Sequence, residues 1–238
     1  MCGFIKRVTD SPAVINLLEE VGLQGVIPNF CSEQGELNFY PAFGKNPTRK
    51  IANVIIRPDK TVDATWWFDC SVAGDTLEVG ERTTFNARNI DSPYWQKAIG
   101  GYRAIVVATA IGETLQVGKR NEHYLMEAEK GLLLGAVYRP FANGCYATAV
   151  ITRPPHASFS LYHDKSIPCF LPHNEEFIAN WLSGAADDPW INDVLANPKI
   201  YQDLKVTKVN TFKQARAQGM TEYLDADAEN SGCFSGSK

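Results

Sequence analysis

Apolar residues recur at two different spacings along this chain, and each spacing predicts a different kind of element. After Ser11-Pro12 they follow the helical period from Val14 to Val21, which is typical of a helix with Ser at the N-cap. Runs of β-branched and other apolar residues predict strands elsewhere. The predicted helices run from 12 to 22 or 25, from 93 to 97, from 175 to 182 and from 189 to about 195. The predicted strands cover 51–57, 62–68, 103–109, 122–127, 132–138, 146–152 and 206–211.

Three segments lack both spacings and are predicted to be irregular. Residues 29–50 are rich in Asn, Pro, Gly and aromatic residues, which indicates an ordered loop. Glu129-Lys130-Gly131 predicts a turn between two strands, and the polar residues 225–238 predict a disordered tail. No repeat or long linker divides residues 1–224. The sequence therefore predicts a single α+β domain over 1–224, with a mixed, mostly antiparallel sheet.

The charge of the chain restricts its partners. The formal net charge is −4, which provides no overall attraction to nucleic acid. A DNA-binding surface would therefore have to be a local cluster of basic residues. The candidates are Arg88, Arg103, Arg139, Arg153 and Lys165.

Composition also bears on location and cofactors. No apolar run reaches the roughly 18 residues that indicate a transmembrane helix, and the N-terminal residues do not resemble a signal peptide. The six cysteines are scattered without a CxxC pair, so we predict neither a zinc site nor a disulfide framework. A cytoplasmic protein without metal or cofactor is the expectation.

Cys2 has the most unusual chemistry in the sequence, because it becomes the N-terminal residue if Met1 is removed. Its α-amine would have a pKa of about 7.7–8.0, against about 10.4 for lysine, so roughly a tenth of it is neutral near pH 7, far more than of a lysine side chain. Such an amine attacks carbonyl compounds, and the neighbouring thiol can trap the product. The ordinary alternative is a cysteine that merely follows the initiator methionine.

Other polar residues could serve this chemistry. Asn86, at a predicted strand end, could hold an amine or an oxyanion, although for this residue taken alone loop capping is the simpler explanation. Glu113 follows a buried strand and could be an acid or base with a raised pKa, or an exposed turn residue. His163 is a candidate proton shuttle, with its tautomer fixed by Asp164 or a backbone carbonyl, and His156 competes for that role.

Trp66 and Trp67 are adjacent on a predicted strand, so their side chains point to opposite faces. One of them is expected in the core, and the other could be a platform on which a DNA base stacks. Core packing of both is the alternative.

Taken in order along the chain, these residues resemble the SRAP family, the SOS response-associated peptidases, which include the abasic-site shield proteins. The matching motifs are Met1-Cys2-Gly3, Asn86-Ala87-Arg88, residues 93–113 ending at Glu113, and His163-Asp164. The chain departs from the family at Phe4, where Arg is usual, and at Lys165, which also replaces Arg. The family's tryptophan-bearing stretch before Asn-Ala-Arg is replaced by residues 71–82.

The resemblance implies a barrel-like core with peripheral helices and a monomer that acts on abasic sites in single-stranded DNA, associated with the nucleoid when bound. Cys2 would form a Schiff base and then a thiazolidine with the abasic-site aldehyde, and autopeptidase and AP-lyase activities could accompany this reaction. Asn86 would orient the amine, Glu113 would transfer protons, and His163 would protonate the departing sugar oxygen. DNA contacts would come from Arg88, Trp66, Trp67, Arg103 and Lys165.

Two other classes of function remain open at the level of sequence. Met-Cys-Gly also begins the class II glutamine amidotransferases, in which the terminal cysteine is the nucleophile and its own amine the base. That assignment leaves Glu113 and His163 without roles. A DNA-binding relative that has lost catalysis is the third hypothesis, favoured by Phe4 and by the modest basic content.

Overall fold

This computed structural model describes residues 3–31, 35–184 and 187–228 of the chain. A 3₁₀ segment, Gln24–Phe30, follows the first helix. The strands and helices are β1 Phe4–Val8, α1 Pro12–Glu20, β2 Glu36–Phe39, β3 Lys50–Arg57, β4 Lys60–Thr65, β5 Cys70–Ala73, β6 Thr76–Val79, β7 Asn86–Ala87, α2 Pro93–Gly101, β8 Arg103–Val117, β9 Arg120–Pro140, β10 Tyr146–Arg153, β11 Ile167–Pro168, α3 Glu175–Ser183, α4 Pro189–Ala196, β12 Leu204–Val209 and β13 Ala217–Leu224.

A five-stranded barrel forms the centre of the domain. The strands pair in the ring β9-β10-β4-β3-β8, and β8 pairs back to β9 to close it. The contacts β10–β4 and β10–β7 are parallel, and the other ladders are antiparallel. The predicted mixed, mostly antiparallel α+β fold with a barrel-like core is therefore confirmed.

The apolar run at the start of β8 divides its side chains between two core layers. Val106 belongs to the cluster that fills the barrel, and its neighbour Val107 belongs to the cluster beneath the helices. Leu17 of α1 and Trp181 of α3 lie in that second cluster. Because both faces of the strand are covered here, residues 104–108 are apolar at every position instead of alternating.

The sheet extends beyond the barrel on both sides. β1 joins the edge of β8 and is followed by β2, whereas β12 joins β9 and is followed by β13. The helices lie outside the barrel, with α1 packed on β9 and α3 on β8. None of the helices in the described residues is both long and apolar enough to span a membrane.

Two of the four predicted N-cap residues make capping hydrogen bonds, whereas Ser11 and Ser92 precede their helices without a side-chain capping bond. The Asn174 side chain accepts a hydrogen bond from the Phe177 amide at 3.0 Å, and Asp188 accepts bonds from the amides of Trp190 and Ile191. These caps satisfy amide groups that have no partner inside the helix. The helices predicted from 175 and 189 are therefore confirmed.

Three predicted irregular segments differ in the structure. β2 lies inside the predicted loop 29–50 and pairs with β1. The predicted turn at 129–131 is a bulge within the continuous strand β9, where residues 128–131 face the single residue Thr109 of β8. The predicted tail begins with ordered residues, because the Asp227 amide donates to the Ile200 carbonyl at 2.8 Å. The sequence does not show these partners, which come from distant parts of the chain.

Candidate active site

Glu113 lies in the interior of β8, although the sequence placed it after the strand. It pairs with Tyr124 of β9, and only 1% of its surface is exposed. A carboxyl in the middle of a strand is carried to one face by the alternation of side chains, and this face is covered by the loop that contains His163. Glu113 is thus held rigidly in a buried position.

The N-terminal strand enters the sheet beside this carboxyl. Phe4 of β1 is opposite Gly112 of β8, so Gly3 continues along the edge toward Glu113. Cys2 lies outside the described residues.

His163 contacts both Glu113 and the strand that carries it. Its Nδ1 donates a hydrogen bond to the Thr114 carbonyl at 2.9 Å and lies 3.8 Å from Glu113 Oε2. A carbonyl oxygen can only accept, so the neutral ring carries its hydrogen on Nδ1 and its lone pair on Nε2. Of the two groups expected to fix the tautomer, Asp164 or a backbone carbonyl, the structure provides the carbonyl of Thr114.

Burial shifts both titrating groups toward their neutral forms. It raises the pKa of Glu113 from its ordinary 4.5 to about 7, against a smaller lowering by the positive charge of Arg88. It lowers the pKa of His163 below its ordinary 6.5, and the charge of Arg88 acts in the same direction. Near pH 7 the pair therefore holds a carboxyl that can give or accept a proton beside a neutral imidazole.

Arg88 approaches this pair from the end of β7, the strand that carries Asn86. Asn86 is buried next to Val150 of β10, and Arg88 follows two residues later, on the same side of the extended chain. Arg88 Nη2 donates to Ser166 Oγ at 3.1 Å, beside the exposed Lys165. The two cations thus lie at the exposed margin of the segment that carries His163, where they could bind an anion.

Trp66 and Trp67 are both buried in the core, so the prediction of a stacking platform is wrong and the alternative, core packing of both, is confirmed. Trp66 is 0% exposed and its Nε1 donates to the Phe85 carbonyl at 2.9 Å. Trp67 is 5% exposed and stacks on the Phe85 ring with centroids 5.8 Å apart. Phe85 immediately precedes Asn86, so the two tryptophans support the strand that carries this polar residue.

Arg103 is also removed from the predicted DNA surface. It is 4% exposed, and its guanidinium donates to the carbonyls of Trp181 and Ile99. These bonds attach β8 to the end of α3 and to α2, and such a buried charge is retained because backbone oxygens satisfy it. Among the basic candidates, Arg88 and Lys165 are the ones that lie near Glu113 and His163.

His156, the competing histidine, lies in another environment. Its Nε2 is 3.2 Å from Asp227 Oδ1, in an ion pair when the imidazole is protonated. Sequence reasoning missed Ser166 as a partner of the site, and it expected a backbone carbonyl at His163 without identifying that of Thr114. A main-chain carbonyl leaves no signal in a sequence, and Ser166 has meaning only through its contact with Arg88.

The described residues hold no cluster of three or more His, Cys, Asp or Glu side chains suited to a metal ion. The arrangement found instead is a buried acid-base pair with two cations at its margin. Such groups can transfer protons and bind an anionic substrate without further parts.

Comparison with known proteins finds the following. A sequence model of a family described as SOS response associated peptidase (SRAP) matches residues 1–212. No curated protein is significantly similar to the chain. A crystal structure of a Bacteroides thetaiotaomicron protein superposes with a TM-score of 0.61 at 15% identity, covering 90% of this chain and 95% of that one.

Two Bordetella bronchiseptica crystal structures are also similar. One superposes with a TM-score of 0.62 at 14% identity and covers 88% of this chain and 100% of that chain. The other, described as a phage-related protein, has a TM-score of 0.57 at 16% identity and covers 88% and 95% respectively. At such low identity the likeness shows the fold alone.

Proposed function

The chain belongs to the SOS response associated peptidase family, and from that premise we propose that it captures abasic sites in single-stranded DNA through a covalent bond to Cys2. Membership in the family supports a role in the response to DNA damage. The observation that carries the finer proposal is the buried Glu113 carboxyl beside His163, at the edge where β1 brings the N-terminal residues into the sheet.

The proposed reaction requires removal of Met1, which frees the α-amine of Cys2. The amine nitrogen attacks C1′ of the ring-opened aldehyde, and the carbinolamine loses water to give an imine. The thiol sulfur then adds to the same carbon while its proton moves to the nitrogen, which closes a thiazolidine ring. One water is released in total, and no oxidant or cofactor is needed.

Glu113 is suited to the proton transfers of these steps. A pKa of about 7 leaves both of its forms populated near neutral pH. The ionised carboxylate can take a proton from the attacking amine, and the protonated carboxyl can return one to the departing hydroxyl. A carboxyl with an ordinary pKa would be ionised almost completely and would donate poorly.

His163 would act on the sugar oxygen. Its Nδ1 is occupied by the Thr114 carbonyl, so Nε2 is the atom that exchanges protons with a substrate. The lowered pKa makes the protonated ring a better donor to the oxygen that departs when the sugar ring opens. Asn86 would orient the amine, and Arg88 with Lys165 would hold a flanking phosphate.

Phe4 takes no part in this binding. It is 1% exposed and stacks on Phe212 with ring centroids 5.0 Å apart. The phosphate contact expected from an arginine at this position is therefore absent, and Arg88 and Lys165 remain as the cations beside the site. Affinity for DNA should consequently depend strongly on these two residues and on salt.

The test is a denaturing gel of protein incubated with single-stranded DNA that carries one abasic site, after mass spectrometry has shown removal of Met1. We expect a heat-stable shifted band. Cys2→Ala retains an α-amine but no thiol, so the band should disappear while an imine remains that borohydride can trap. Cys31→Ala, at an exposed cysteine, is the matched control and should leave the band intact.

The same gel measures AP-lyase activity, because an imine that is not closed by sulfur permits β-elimination and strand cleavage. Cys2→Ala should therefore cleave more of the bound DNA than the wild type. If correctly processed wild-type protein forms no covalent band, the proposal is wrong. Hydrolysis of free glutamine under those conditions would instead indicate an amidotransferase-like enzyme, and DNA binding alone would indicate a non-catalytic relative.

A further inference from the structure

The segment that carries His163 lacks regular secondary structure. Residues 154–166, which we call the histidine loop, connect β10 to β11. Phe159 anchors its middle, being 0% exposed and packed near Phe170 at a centroid distance of 6.4 Å. Without ladder hydrogen bonds along its length, the position of this loop depends on side-chain contacts.

One such contact comes from Tyr162, which immediately precedes His163. Its hydroxyl donates to Glu222 Oε2 at 2.8 Å, and its ring packs edge-on against Tyr124 with centroids 5.2 Å apart. Glu222 lies on β13, sixty positions further along the chain. A bond to a carboxylate is stronger than a bond between neutral groups, so it can fix the orientation of the tyrosine.

A second contact holds the other end of the loop. His156 Nε2 lies 3.2 Å from Asp227 Oδ1. Asp227 is itself fixed, because its Oδ2 accepts from the Ile200 amide at 2.6 Å and its own amide donates to the Ile200 carbonyl at 2.8 Å. β13 and the chain that follows it therefore contact the histidine loop at two separate places.

The packing of β13 is otherwise slight. Within the described residues it pairs with β12, and its side chains are nearly all exposed, with Met220 at 90% and Tyr223 at 73%. It also lies beyond residue 212, where the match to the family ends. An edge strand that buries so little apolar surface contributes little to the core. Its contacts with the histidine loop are the interactions that connect it to the site.

We propose that Glu222 and Asp227 form a C-terminal clamp that positions His163 against Glu113. These are positioning residues, because they act through Tyr162 and His156 and do not touch the reacting atoms. The clamp keeps the imidazole within 2.9 Å of the Thr114 carbonyl and 3.8 Å of Glu113. As regards the reaction that His163 assists, the inference rests on the proposed function.

The test compares Tyr162→Phe, Glu222→Ala, Glu222→Gln and the double variant Tyr162→Phe/Glu222→Ala in the full chain. The imidazole of His163 is followed by NMR titration, and the rate of covalent capture of an abasic oligonucleotide is measured alongside. Tyr223→Ala, next to Glu222 on the exposed opposite face of β13, is the matched control. Thermal unfolding shows whether each variant is folded.

We expect Tyr162→Phe and Glu222→Ala each to slow capture by about three- to tenfold and to shift the His163 titration. Glu222→Gln should restore most of the rate, because its amide oxygen still accepts from the tyrosine. The double variant should be no slower than either single one, since both remove the same bond. Tyr223→Ala should change neither measurement.

Asp227→Asn tests the second contact, with the exposed Asp225→Asn as its control. Removal of the charge should slow capture less than Glu222→Ala does, because its partner His156 is further along the loop from His163 than Tyr162 is. An unchanged His163 titration in both Glu222→Ala and Asp227→Asn would overturn the clamp, even if these variants capture DNA more slowly. If the variants shift the His163 titration but the wild-type protein captures no abasic DNA, the clamp is supported and the proposed function is contradicted.

Discussion

Two neighbouring residues of β8, Gly112 and Glu113, face opposite sides of the sheet and meet opposite environments. Glu113 faces His163 and the end of the polar site. On the other side, a side-chain carbon at Gly112 would lie 2.6 Å from Cε1 of Phe212, which covers a small apolar cluster containing Phe4 and Leu125. One position along a strand thus separates a chemical face from a packing face.

This difference explains how the chain can depart from its family at Phe4 while retaining the polar pair. Phe4 is opposite Gly112 in the ladder, so it shares the packing face and points away from Glu113. Substitutions on the packing face should change stability but not chemistry. Those on the chemical face should change the chemistry, and they should stabilise the fold where they remove a buried titrating group.

The largest effect is expected on the packing face, from Phe4→Ala. Removing the ring from contact with Phe212 and Tyr40 should lower the free energy of unfolding by about 3–4 kcal/mol. Urea unfolding measures this loss, and Val117→Ala, at a half-exposed strand end, should cost less than about 1 kcal/mol. Under folding conditions the pH dependence of capture should be unchanged. A stable Phe4→Ala variant with an altered pH profile would contradict the division of faces.

On the chemical face, Glu113→Gln should stabilise the protein at high pH. Folding raises the pKa of this carboxyl from 4.5 to about 7, so the folded protein binds its proton more tightly. The stabilisation of the folded protein by this bound proton is fully present below pH 4.5 and is lost as the pH rises through 7. Glutamine does not titrate, so its advantage should grow over that window to at most about 3 kcal/mol.

Unfolding of both proteins between pH 4 and pH 9 checks this expectation, with the exposed Glu129→Gln as control. Capture by Glu113→Gln should be slow at every pH, because the proton carrier is gone. Parallel stability curves for wild type and variant would show that Glu113 does not titrate in this range.

The smallest effect is expected from Gly112→Ala. The added methyl would meet the Phe212 ring at 2.6 Å, so the ring must move, at a cost of about 1–2 kcal/mol. Phe212→Leu in the same chain should recover part of this loss, and a double-mutant cycle in urea measures the coupling. If the changes in unfolding free energy of the two substitutions simply add, Phe212 does not contact the side chain at position 112, and the contrast between the two faces is weakened.

Elements whose evidence is local were predicted from the sequence. Asn174 and Asp188 cap helices by contacts within three residues, so their motifs suffice. β2 and β13 could not be predicted in this way, because exposed strands without clear alternation acquire their structure from a partner. An irregularity near residues 128–131 was predicted correctly, but their Gly and charged residues are also typical of a turn, so the bulge within a continuous strand was not predicted.

The candidate site was recognised in outline and misjudged in its surroundings. Glu113 and His163 were singled out, and the structure places them 3.8 Å apart. Trp66 and Arg103 were assigned to the DNA surface because aromatic and basic residues suit that role, but both are buried. Residue type alone does not distinguish an exposed arginine from one whose charge is satisfied by backbone carbonyls.

The sequence by itself determined the kinds of groups available: a cysteine after the first methionine, a carboxyl in an apolar strand and a histidine in a long loop. The tertiary structure decided which of them meet and in what protonation state. Burial of Glu113 raises the pKa of its carboxyl, the Thr114 carbonyl fixes the tautomer of His163, and β13 reaches the loop from the far end of the chain. Desolvation and long-range contacts exist only in the folded chain, so no local pattern of residues encodes them.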